Sequence, residues 1–486
     1  MRELNVVVLK PSKYGRSGYV ERFRWGFMPN ATVAYIVTLL SALARDVTIR
    51  VHAIDEYVWT DLAYYGLFDV KKNGPTLVLL VGVQTHQLHR ALDLAALAIC
   101  RGCMAVIGGP HAMVCDTSVL QGKGVSFCLA EAEVVLEEIL RDAVVGELKP
   151  VYGQKQRWTK ELNPPVLKIP STQEFERYVH RQLGVYPARG CSNICDFCTV
   201  TDVAGRIVRS QPINTTVATL REAQKAGIKM VFFVSDNFNK YKEARALCEA
   251  IIDAKLGLKF FVQCDVQIKP DLLEVFARAG VYQVFFGIES LNRTTLKKMH
   301  KALNRPEKYR EIKQMCDEVG ITPNFTLING FPDDTYESVL DQLRAVSDID
   351  PGLAWFFTLC PGPGSVLYDD LRRRGLITEP NLDRFDGTCS TWWHPNLTGG
   401  QLDELLWRCY REFYTLKRAA AYRPLGAQTT KAMMWAATLF MRHCAWRGMH
   451  PMSGGVWSMR VDHVNEYLQL RRKTYGLTLV PLPDRL

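Results

Sequence analysis

The 486-residue chain predicts an α/β protein in three parts: an N-terminal doubly wound Rossmann-like domain, a central partial (β/α)6 TIM-like barrel and a mostly helical C-terminal region. Three observations carry that prediction. Short runs rich in Val, Ile and Leu alternate with segments of helical periodicity through residues 1–150. A second series of such runs follows, each ending in a polar or Gly-containing loop, and after Arg384 the runs stop. With 48% hydrophobic and 23% charged residues the chain fills more than one core, which excludes a disordered tail or a collagen-like repeat.

In residues 1–150 the runs 5–9, 47–53, 76–81, 104–108 and 125–129 read as buried parallel strands, because a sheet covered on both faces loses the alternation of apolar and polar residues. Residues 32–44, 87–101 and 131–140 supply the helices between them, and a ligand is expected outside the carboxyl ends of the strands. Residues 151–180 gather Pro, Lys and Gln, including Asn163, Pro164 and Pro165, and read as a linker. The second series, 183–186, 230–234, 259–263, 283–287, 322–328 and 354–359, defines a barrel over 181–385 with its site at the strand ends. In 386–486, residues 400–418 and 428–446 are expected helices and the stretch from Arg447 is expected to be irregular; this region is expected to select the substrate.

The 60 Lys and Arg against 50 Asp and Glu leave a modest surplus, short of a dedicated nucleic-acid binder, and no nucleic-acid partner is expected. The surplus is uneven: residues 371–486 hold 17 basic and 9 acidic residues. The 14 Cys are spread over a long chain whose start shows a strand pattern and no secretory signal, so they read as reduced thiols of a cytoplasmic protein. No apolar run approaches the roughly 18 residues that span a bilayer. The best, 432–441, stops at Arg442 and suits a peripheral contact with a membrane surface.

The sharpest chemical signal is Cys191, Cys195 and Cys198, a C-x3-C-x2-C array just after the first strand of the second series, with Phe197 before the last cysteine. Three thiolates on one loop hold three irons of a [4Fe-4S] cluster and leave the fourth iron an open position. A structural zinc site takes four ligands, and no further Cys or His follows at zinc-finger spacing. The triplet resembles the signature of the radical S-adenosylmethionine superfamily. That resemblance implies that the three cysteines ligate the cluster and that the open iron binds S-adenosylmethionine. It further implies that an electron donor such as flavodoxin or ferredoxin drives formation of a 5′-deoxyadenosyl radical. The resemblance continues along the barrel: Asp236 and Asn237 stand at the acidic motif after the second strand, Glu289 ends a later strand, and Gly330 opens a loop at the place of G-x-P-G-E-T. Phe197, Asp236, Asn237, Glu289 and Gly330 are therefore the expected contacts to S-adenosylmethionine. Alone, Gly330 would be a loop residue; its order after the triplet gives it weight.

The first domain resembles the cobalamin-binding domain fused before the barrel in one branch of that superfamily. Gln84, Thr85, Gly108, Gly109, His111 and Glu131 stand at the matching loops and helix start, and the resemblance implies that they contact cobalamin. Small residues after buried strands let a flat macrocycle approach the backbone, and helix N-termini donate N–H groups. No D-x-H-x-x-G motif is present, so no histidine is expected as lower axial cobalt ligand. The implied activity is C-methylation at an unactivated carbon of a natural-product, lipid or peptide substrate. Two alternatives stay open: a cyclase, oxidoreductase or rearrangement enzyme of the same branch without methyl transfer, and a non-catalytic iron–sulfur regulator.

Overall fold

The computed structural model describes residues 3–43, 48–423, 430–453 and 455–486. Strands β1 (Glu3–Lys10) and β2 (Tyr19–Gly26) go to different sheets. β1 enters a six-stranded parallel sheet with β3 (Thr48–Asp55), β4 (Thr76–Leu80), β5 (Met104–Gly108), β6 (Val125–Cys128) and β7 (Val151–Tyr152), in the order β3-β1-β4-β5-β6-β7. β4 and β6 are buried at every residue. The reason is cover on both faces: helices Ala31–Leu43 and Ala132–Val145 pack on one, and Leu88–Ile99 on the other. Strand order reverses between β1 and β4, which opens a crevice at their carboxyl ends. Residues 151–180, expected to be a linker, begin instead with the edge strand β7, which pairs Phe127 with Val151 and Cys128 with Tyr152. A two-residue strand is too short to show periodicity. Ala44, Val47 and Gln428, at the ends of predicted elements, lie outside the described residues.

β8 (Gln182–Val185) starts the second sheet, and a ribbon of β9 (Ala188–Arg189) and β10 (Arg209–Ser210) brackets the cysteine loop. With β11 (Met230–Phe233), β12 (Lys259–Cys264), β13 (Val281–Glu289), β14 (Thr322–Asn329) and β15 (Leu353–Thr358), the sheet is parallel throughout in the order β15-β14-β13-β12-β11-β8. Among the described residues β15 and β8 do not pair, so the barrel stays open on one side. Helix Lys431–Arg447 stands at that opening, where its Met434 and Ala437 join Gln182 of β8 and Leu353 of β15 around a small cavity. The two α/β parts touch closely: a Cβ on Gly184 of β8 would lie 2.6 Å from the Cβ of Ala31.

The stretch from Arg447, expected to be irregular, contains regular elements among its described residues. β16 (Gly455–His463) pairs antiparallel with β2, and helix Leu468–Tyr475 packs on Leu88–Ile99, where the Tyr475 hydroxyl donates to the Leu92 carbonyl at 3.1 Å. Residues 386–486 are thus two pieces, the second of which completes the N-terminal domain. A buried ion cluster locks it there. Arg22 reaches Glu56 at 2.6 Å and Asp462 at 2.8 Å, and Arg90 reaches the same carboxylates at 2.5 and 3.0 Å.

Candidate functional site

The carboxyl ends of both sheets face one crevice of about 1340 Å³. On the N-terminal side it is lined by Gln84, Thr85, Gly108, Gly109, His111 and Glu131, all of the residues expected to meet cobalamin. Their local roles are specific. Gln84 and Gln87 cap each other's backbone, and the Thr85 hydroxyl meets His111 Nδ1 at 3.1 Å, which ties the loops after β4 and β5 together. Burial lowers His111 to about 3, so its imidazole is neutral at physiological pH. Gly109, at φ 137°, is a glycine because a Cβ would fall 2.2 Å from the Val83 nitrogen. Its small size serves loop-on-loop packing. Lys10, at the end of β1, was not foreseen: it lines the crevice and donates to Gln87 Oε1 at 2.7 Å. Burial lowers it to about 7 against the pull of Asp55. A charged residue closing an apolar strand was the available signal.

On the barrel side Asp236 lines the crevice and accepts from the Gly190 N–H at 2.9 Å, fixing the start of the cysteine loop to the end of β11. Burial raises its carboxyl above the ordinary range. Cys191, Cys195 and Cys198 are half-buried on the loop between β9 and helix Val200–Val203, and Thr199 and Val200, which follow, line the crevice. Burial raises all three thiols, Cys198 to about 12, while the Lys301 ammonium pulls the other way. Lys301, also unforeseen, pairs with Glu289 at 3.1 Å. Burial would lower its ammonium, but Glu289 and Cys195 hold it above the usual lysine value. Glu289 itself sits at φ 65°, where the register of β13 against β14 shifts.

Three thiols on one loop, with the Lys301 ammonium acting on all of them, form a donor set that fits an iron–sulfur cluster. Among the described residues the three sulfurs do not converge on one metal ion; in a cluster each cysteine takes a separate iron. Of the five expected contacts to S-adenosylmethionine, Asp236 lines the crevice, whereas Phe197, Asn237, Glu289 and Gly330 lie beside it, as the three cysteines do. Both ends of the Asn237 amide meet Asp265, one of them through its backbone N–H, and Asn237 does not line the crevice. Gly330, at φ 90°, packs under helix Gly399–Phe413, where a Cβ would strike Leu402 at 2.6 Å. Phe197 sets its ring edge-on to Phe331 at 5.9 Å.

Glu131 also carries ion pairs to the ribbon that brackets the cysteine loop. Its carboxylate takes two bonds from Arg209, at 2.6 and 2.9 Å, and one from Arg189 at 3.3 Å. Arg189 also reaches Glu133 at 2.8 Å. The start of helix Ala132–Val145 is therefore clasped to both strands that bracket the cysteine loop. Burial would raise the Glu131 carboxyl, but Arg209 and Arg189 hold it below the usual value. A depressed folded value means that the clasp contributes stability above the unfolded value, about 4.3, and loses it as pH falls through the folded one. Glu131→Ala leaves Arg209 without its carboxylate partner and Arg189 with Glu133 alone, and is expected to cost about 3 kcal/mol in urea unfolding, with a smaller loss in Glu131→Gln.

Residues 185–346 match the Radical SAM superfamily. The bacteriochlorophyllide d C-12(1)-methyltransferase of Chlorobaculum tepidum is 26% identical over 346 residues, which cover 69% of this chain and 74% of that protein. The solved structure of the radical S-adenosylmethionine methyltransferase TsrM of Kitasatospora setae superposes with a TM-score of 0.65 over 93% of this chain and 96% of its own, at 14% identity. That of the cobalamin-dependent S-adenosylmethionine radical enzyme OxsB does so with a TM-score of 0.64 over 92% and 72%, at 15% identity.

Proposed function

We propose, from the premise that residues 185–346 are a radical SAM domain, that this enzyme is a cobalamin-dependent radical S-adenosylmethionine C-methyltransferase of an apolar small molecule or lipid. The observation that carries the reading is the single crevice onto which both sets of strand ends open. The relatives named for methyl transfer favour it over a cyclase or a regulator. When bound there, the cluster with S-adenosylmethionine supplies a radical that removes a substrate hydrogen atom, and cobalamin supplies the methyl group.

The chain's own residues have four tasks. Cys191, Cys195 and Cys198 hold the cluster, with Lys301 and Glu289 setting the charge beside it. Asp236 keeps the loop in register with β11. Gln84, Thr85 and His111 shape the cobalamin side. The barrel lumen excludes water: Phe232 stacks on Phe261 at 4.9 Å, and Trp355 and Phe357 continue that wall. An electron donor of the flavodoxin or ferredoxin kind and a cytoplasmic setting complete the reading. No helix among the described residues is long and apolar enough to cross a membrane.

Anaerobic reconstitution with iron, sulfide and cobalamin tests the proposal. Tight cobalamin binding, with 5′-deoxyadenosine and S-adenosylhomocysteine formed in the presence of substrate, is the expected result. Deoxyadenosine without the homocysteine product would return the non-methylating alternative, and neither product would return the regulator.

A further inference from the structure

Helix Lys431–Arg447 is apolar on both of its sides. Inward, Ala437, Phe440 and Met441 line the crevice, and Phe440 meets Phe27 of the N-terminal domain at 5.2 Å. Outward, the helix shows Ala436, Leu439, His443 and Trp446, with Leu439 55% and Trp446 77% exposed. A helix on a water-facing surface carries charge on its outer side, and one that is apolar all round has an apolar neighbour on every side. Here the charges stand toward the ends, at Lys431, Arg442 and Arg447, and all are positive. The imbalance reaches well beyond the helix: between Glu412 and Asp462 the sequence has no acidic residue and seven Lys or Arg. Met452 and Trp457, 51% and 68% exposed, follow the helix in the chain.

We propose that this outer face docks on a bilayer surface rich in anionic lipid. Leu439 and Trp446 enter the boundary between headgroups and acyl chains, a position that suits an indole, and the exposed Lys431 and Arg447 meet the headgroups, while Arg442 donates to the Arg411 and Tyr414 carbonyls. Uncompensated positive charge flanking large apolar side chains is the complement of such a surface. The inner side of the same helix walls the crevice, so docking leaves one helix between lipid and crevice. The docking is read without substrate or cofactor, so it stands or falls separately from the proposed reaction.

Sedimentation of the full chain with vesicles of phosphatidylcholine, with and without phosphatidylglycerol, tests the proposal. Binding is expected to fall about tenfold when phosphatidylglycerol is left out or when salt is raised to about 0.5 M. Leu439→Glu with Trp446→Glu is expected to weaken it about tenfold, with an unchanged far-ultraviolet circular dichroism spectrum. Lys431→Glu with Arg447→Glu, at exposed positions, is expected to remove the anionic preference and serves if the first variant does not fold. Wild-type protein left in the supernatant with both vesicle types overturns the proposal, as does binding unchanged in both double variants. A lipid-free dimer that Leu439→Glu with Trp446→Glu dissociates would also overturn it, by assigning the face to a second copy.

Discussion

Alanine in place of any one of Cys191, Cys195 or Cys198 is expected to reduce 5′-deoxyadenosine formation more than about a thousandfold, because a cluster with three protein ligands has no spare one. Iron content and visible absorption should fall with it. Cobalamin binding should persist, since its expected contacts belong to the N-terminal domain and the three cysteines do not line the crevice. The control is Cys100→Ala. Cys100 is exposed at a helix end, and its neighbour Cys103 is raised to about 11 by burial, which makes Cys103 poor in thiolate. Full activity in Cys100→Ala beside none in the loop variants would assign the iron chemistry to the loop. Activity retained by a loop variant would refute that assignment.

Glu56→Ala is expected to be the most destabilising single change outside the crevice, by about 3 to 5 kcal/mol, because it leaves buried guanidinium charge without its main partner. Glu56, Arg22 and Arg90 all have fully buried side chains, and Nε and Nη1 of Arg22 already lack partners. Burial would raise the Glu56 carboxyl, but Arg90 and Arg22 bring it to about 2. The sign follows from that depression: the stabilisation is complete above the unfolded value of about 4.3 and is lost only as pH falls toward 2. Urea titration at neutral pH and at pH about 3 measures both effects, and the gap between wild type and variant should shrink in acid. An equal gap at both values would mean that the cluster holds the domain by shape and not by charge.

The parts of this fold that sequence made legible are those whose signal is local. Six buried runs ending in polar loops announce the barrel, and three cysteines within eight positions announce its chemistry. What stayed hidden is non-local. β16 has a broken alternation, and its partner β2 lies more than 400 residues earlier, so no window of sequence contains the pair. Lys301 stands twelve residues from Glu289 across a loop, a spacing without meaning until the loop folds back. Arg189 and Arg209 bracket the cysteine loop as ordinary basic residues, and only the ribbon that joins them shows why Glu131 belongs to both halves of the crevice. Asn237 follows Asp236 in the motif, yet adjacent side chains diverge after a strand end, and its amide is drawn to Asp265.

The pairing of β2 with β16 also sets an order of events during synthesis. Arg22 meets Asp462, 440 residues later in the chain, so a nascent N-terminal domain holds two arginines around one carboxylate until that residue leaves the ribosome. The barrel, made in between, has all its strands by Thr358. The segment translated first is thus completed last, and a nascent chain that stalls anywhere in the C-terminal helices would present a whole barrel beside an unfinished neighbour.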